Sequence, residues 1–122
     1  MGDIRNDIEC HVDHTWLGPT TVVSVSGAVD MLTAPGLEKS VAACLDARPA
    51  AMIIDLTDTE FLGSAGISVL VHACSLAGDR RIGFGVVADA PATSRPITLL
   101  GLDGALNLHP TIEDVQNSFA SS

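Results

Sequence analysis

Residues 55–70, DLTDTEFLGSAGISVL, change character halfway along. Asp55 and Leu56 close an apolar run beginning at Ala51 that reads as a buried strand, and from Ile67 onward apolar residues recur at helical spacing. Between the two lies Ser64, flanked by Gly63 and Ala65 and followed by Gly66. Serine is favoured at a helix N-terminus, where its oxygen accepts a hydrogen bond from an amide two or three residues on, here Gly66 or Ile67. Glycine weakens a helix, so a chain needing only a cap gains nothing from clearing the ground around it. The stretch therefore predicts a strand-to-helix step with a sterically open hydroxyl at the joint.

The same pattern extends in both directions. Ile8 to Trp16 alternates in period two, with Ile8, Cys10, Val12, His14 and Trp16 on one face. Gly18-Pro19 then turns the chain into a Val-rich strand, Thr20 to Ser26, and so short a connection predicts an antiparallel hairpin. A helix follows, with Thr33 as N-cap, Pro35 in the first turn and Leu37, Val41, Cys44 and Leu45 facing inward. The helix opened near Ser64 runs to about Gly78, with Ile67, Leu70, Val71 and Cys74 on its apolar stripe. Ile82 to Val87 is the next strand. A short helix interrupted by Pro96 is expected to begin at Ser94 and end at Gly101. Ala105 to Leu108 reads as a last strand, and Thr111 with Asp114 opens a final helix that turns Ile112, Val115 and Phe119 inward. The order β-β-α-β-α-β-α-β-α predicts an α/β sandwich with a mostly parallel sheet and an antiparallel N-terminal edge strand.

At 122 residues the chain holds one domain, and with 47% hydrophobic and 17% charged residues it is globular. Aromatics are only 3%, so the core must come from Val, Leu, Ile and Ala. A net charge of −9 excludes the clustered cations that nucleic acid or an anionic membrane would require, and suits a protein-binding protein. No basic segment followed by an apolar core opens the chain, and Gly66 to Gly78 is too short to span a bilayer. Three scattered cysteines, Cys10, Cys44 and Cys74, fit a reducing compartment, so the expected location is the cytoplasm.

Enzymatic and metal chemistry find little support. His11 and His14 point to opposite faces of a strand, while His14 and Cys10 share a face but lie about 13 Å apart. His72 and His109 are isolated. A hydrolase elbow, G-x-S-x-G, would need Gly where Leu62 stands. No phosphate-cradling loop or other cofactor motif is present. The cysteines read as small buried hydrophobes, with a redox-gated pair as the alternative.

At DLTDTEFLGSAG the chain resembles the STAS family, and within it the bacterial anti-sigma factor antagonists, whose pattern is [DN]-L-x-x-[VT]-x-F-[ML]-[DG]-S-[SA]-G. Two further stretches match in family order, GAVDMLTAPGLE (27–38) and LLGLDGALNLHPT (99–111). The resemblance spans about residues 7–120. It implies that Ser64 is a phosphorylation site and that Asp30, Thr33, Asp58, Gly63, Ser64, Ala65 and Gly66 belong to a partner-binding surface. Many members carry Asp before the serine; here Gly63 takes that place. The resemblance further implies a protein that is a kinase's substrate and not an enzyme. Unmodified, it would bind an anti-sigma factor of the serine-kinase type and release a sigma factor for transcription; phosphorylation would end the complex and a phosphatase would reset it. Two other readings are a STAS module that senses a small ligand or nucleotide, and an antagonist gated by cysteine oxidation.

Overall fold

Ala51–Leu62 is the middle strand of a five-stranded sheet in a computed structural model that describes residues 10–120. The elements follow one another as β1 (His11–Leu17), β2 (Thr20–Val29), α1 (Ala34–Asp46), β3 (Ala51–Leu62), α2 (Ser64–Asp79), β4 (Gly83–Val87), α3 (Pro91–Leu99), β5 (Leu108–His109) and α4 (Ile112–Ala120). The strands lie in sequence order across the sheet. β1 and β2 are antiparallel, joined by a two-residue turn in which Gly18 takes φ +60°, and the remaining pairings are parallel.

β3 reads as a continuous apolar run because both of its faces are covered. On one side Val23, Val25, Met52, Ile54, Leu56 and Val86 pack with Leu37, Val41 and Leu45 of α1, Ile67 and Leu70 of α2, and Ile97 of α3. On the other, Val22, Ile53 and Val87 meet Val115 of α4, with Ile112 and Phe119 beside them. Each such side chain, fully buried, contributes about 1.5–3 kcal/mol. The inward stripe expected for α1 is the one observed.

Four expectations shift. β2 and β3 run on past Ser26 and Leu56, pairing as far as Val29 with Leu62 through two register shifts. Gly27 at φ +88° accommodates one of these irregularities, and the buried Thr59 hydroxyl donates to Val25 O at 2.9 Å. Of the stripe expected on α2, Ile67 and Leu70 are buried and Cys74 packs against the core, but the buried face extends to Val69, Ala73 and Ala77 and leaves Val71 41% exposed. α3 begins at Pro91 rather than Ser94. Proline suits that first position, and the Thr93 and Ser94 hydroxyls donate to Ala90 O, while buried Thr93 and Ile97 hold the helix despite Pro96. It ends as expected at Gly101, whose φ of +71° lets its amide reach Thr98 O and that of Leu102 reach Ile97 O. β5 is Leu108–His109, not Ala105–Leu108, since turn bonds through Leu106, Asn107 and Leu108 hold that segment.

Cys10, just before β1, and Val12 on it pack against the core as their alternation predicts, whereas His14 and Trp16 are exposed toward the hairpin end of this edge strand. Ile8 lies outside the described residues. No described helix is long and apolar enough to cross a membrane.

Candidate functional site

The prolonged ends of β2 and β3 deliver two segments to the C-terminal end of the parallel strands: the loop 30–33 and the first turn of α2. Asp30 organises the loop. Its Oδ1 accepts from the amides of Leu32 at 2.9 Å and Thr33 at 3.0 Å. These two bonds, Thr33 first, hold the Asp30 carboxyl below its ordinary value of 3.8, against a smaller opposing effect of burial. Thr33 stands at the N-cap position of α1 but caps nothing. Its hydroxyl instead accepts from Asp30 N at 2.9 Å and donates to Ala28 O at 2.8 Å, fastening the loop to the end of β2.

α2 starts one residue earlier than a serine cap requires. Gly63 is the N-cap: its amide donates to Val29 O at 2.9 Å and its carbonyl accepts from Ile67 N at 3.1 Å. Ser64 is therefore the first helical residue, exposed, and its hydroxyl makes no cap bond to Gly66 or Ile67. The expected capping role is replaced by a free-standing hydroxyl over a helix N-terminus. The small neighbours also have other reasons to be small. Gly66 is buried, and a Cβ there would lie 2.6 Å from Val29 Cγ1 and 2.7 Å from Leu62 Cδ1, so its smallness permits close packing of α2 on the sheet. Ala65 packs against the core edge.

Ser64 lies in a shallow, open depression shared with Asp30, Met31, Phe61, Gly63, Ala65 and Ser68. Of the expected surface residues, Asp30, Gly63, Ser64 and Ala65 thus come together. Thr33 supports them from behind, Gly66 is packed beneath, and Asp58 sits apart, exposed on β3 opposite Ser26. Asp55 accepts from the amide and hydroxyl of Thr57. The negative charge in the depression is therefore that of Asp30. Met31, 80% exposed, and Phe61, 53% exposed, are site residues that periodicity could not reveal, because their role depends on where the loop and β3 end.

None of the described residues that line the depression is a histidine. Among the described residues no group of three or more His, Cys, Asp or Glu could hold a metal. His72 Nδ1 lies 3.1 Å from Glu38 Oε2 on the exposed surface, and His109 Nε2 2.9 Å from Asn107 Oδ1. All three cysteines are free. Burial pushes each thiol above its ordinary value, with the charge of Asp30 adding to the effect at Cys10, so the reactive thiolate is disfavoured.

The chain as a whole has known relatives. The STAS domain model matches residues 11–115, and the chain belongs to the STAS family. It is 40% identical over 93 residues to the anti-sigma-F factor antagonist RsfB of Mycobacterium tuberculosis, an alignment covering 76% of this chain and 75% of that one. Its fold superposes on the crystal structure of an anti-sigma factor antagonist from Mycobacterium paratuberculosis with a TM-score of 0.85 and 43% identity, covering 90% of this chain and 93% of that one. The unphosphorylated form of the anti-sigma factor antagonist SpoIIAA shares the fold at a TM-score of 0.75 and 11% identity, over 92% of this chain and 98% of that one.

Proposed function

We propose that this protein is a cytoplasmic anti-sigma factor antagonist whose binding surface is the depression around Ser64. In its unmodified form it binds an anti-sigma factor of the serine-kinase type, releasing a sigma factor for transcription. The kinase phosphorylates Ser64 and so ends the complex, and a phosphatase restores it. The protein is the substrate of that kinase and performs no catalysis of its own. The observation that carries this reading is the exposed, uncapped Ser64 hydroxyl between Met31 and Phe61 at the first turn of α2.

The electrostatics of the site support a switch. A phosphoserine carries about −1.5 to −2 charges, and at a helix N-terminus such charge is favourable by about 0.3–1 kcal/mol. The domain itself therefore tolerates the modification. A partner packed over the depression must instead desolvate a dianion beside the ionised Asp30. A penalty of about 3 kcal/mol weakens binding roughly a hundredfold. Neither alternative gains comparable support: the depression lacks an enclosed cavity for a small ligand, and the three thiols are biased toward the unreactive form.

Affinity capture from the native cytoplasm, with and without ATP, tests the proposal. An anti-sigma factor should be retained without ATP and shed with it, while intact-mass spectrometry finds one added phosphoryl group on Ser64. Ser64→Ala should retain the partner under both conditions. Modification at another residue, or equal calorimetric affinity of modified and unmodified protein, would refute the mechanism.

A further inference from the structure

Gly63 presents a puzzle that its backbone does not solve. Its φ of −86° and ψ of 179° are open to any L-residue, so no left-handed conformation calls for glycine. Space does. A Cβ on residue 63 would lie 3.0 Å from Cε2 and 3.4 Å from Cζ of Phe61, so the outer edge of the phenyl ring occupies the space into which a side chain would project. The ring is 53% exposed even so, whereas Phe84 and Phe119 are packed against the two cores. Phe61 is thus an aromatic residue kept at the surface, resting on Gly63, in the same depression as Ser64.

We infer that Phe61, seated on Gly63, is the apolar anchor of this face, taking up a protein partner that offers an apolar side chain to the ring. This rests on the proposed binding role of the Ser64 surface. Three observations converge on it. The ring is half exposed and has one side already supported, so a partner covering the other side removes apolar area from water with little further ordering of the side chain. Aromatic residues in this situation are the usual anchors of protein interfaces. Met31, 80% exposed, lines the same depression, so a partner approaching the serine hydroxyl meets apolar surface from the loop and from β3. The glycine is the other half of the device, since a side chain at 63 would have to shift the ring edge by a few tenths of an ångström and crowd its present position. Residues 61 and 63 consequently act as one unit, and their substitutions are not independent.

The test measures binding of the anti-sigma factor captured by the wild-type chain. Phe61→Ala and Gly63→Ser should each lower its affinity at least tenfold. Serine supplies the interfering Cβ and is itself a favoured N-cap residue, so the start of α2 is not weakened. The double variant should bind no worse than Phe61→Ala alone, because the ring that the new side chain at 63 would displace is already gone. Leu99→Ala, which removes a still more exposed apolar side chain from α3, should leave affinity unchanged. A readout independent of the partner is the NMR shift of the Gly63 α-protons, which the ring current of the adjoining Phe61 should displace in wild type but not in Phe61→Ala. Wild-type affinity in Phe61→Ala, multiplicative losses in the double variant, or an unshifted Gly63 would overturn the inference while leaving the antagonist reading intact. Failure of the wild-type chain to retain any anti-sigma factor would overturn both.

Discussion

Ser64 and Thr111 both stand where helices open, but only one of them caps. Thr111 Oγ1 accepts from Asp114 N at 3.1 Å, whereas Ser64 lies inside its helix with Gly63 as cap. Thr111→Ala should therefore cost about 1 kcal/mol in urea denaturation. Ser64→Ala should stay within about 0.5 kcal/mol of wild type, as for an exposed side chain without a structural bond. A larger loss at Ser64 would make its role structural. Asp30 gives a pH signature. Its folded pKa is depressed, so its contribution to loop order is present above the unfolded value of about 3.9 and is lost as pH falls through the lower folded value. The amide shifts of Leu32 and Thr33 should accordingly hold steady from neutrality to about pH 4 and move together below it. In Asp30→Asn this titration should be absent.

Among the elements, the closeness of helix to sheet depends on missing side chains. α2 meets β2 and β3 at Gly66, and α4 meets β4 at Gly85, where a Cβ would lie 2.3 Å from Val115 Cγ1. Gly66→Ala and Gly85→Ala each add a methyl to a filled space, and each should destabilise by about 1–3 kcal/mol. Adding Val115→Ala to Gly85→Ala should recover part of that loss, since it removes the colliding methyls. Full additivity of the two changes in denaturant melts would mean that the strand and helix contact there is looser than the geometry requires. Gly66 also shows how an element can serve a site indirectly: by drawing α2 onto the sheet it sets where Ser64 emerges.

For the whole molecule, the core and the Ser64 depression occupy separate places. The two hydrophobic layers lie on the faces of the sheet, whereas Ser64, Asp30, Met31 and Phe61 lie at the C-terminal ends of β2 and β3, outside both clusters. Charge added at Ser64 therefore reaches no buried apolar contact. Phosphorylated protein should keep its circular dichroism spectrum and a Tm within about 5 °C of the unmodified form. A phosphoprotein that melts much earlier would mean that the modification acts by unfolding the domain and not by obstructing a surface.

Element order, the antiparallel start, the inward stripe of α1, and Ser64 at a strand-to-helix joint were all legible in the sequence. Each depends on periodicity or on turn residues such as Gly18-Pro19, which act over a few residues. The polar stretch Thr57 to Glu60 carries no strand period, and only pairing with β2, distant in the chain, makes it one. That pairing decides where β3 ends and hence that Gly63, not Ser64, caps α2. It also decides which side chains surround the hydroxyl: Met31 and Phe61 are ordinary apolar residues in the sequence and become a surface only when the loop after β2 and the end of β3 meet. Local spacing determines which face a residue takes, whereas long-range contact determines what stands beside it. The chemistry of the Ser64 site belongs to the second kind of information.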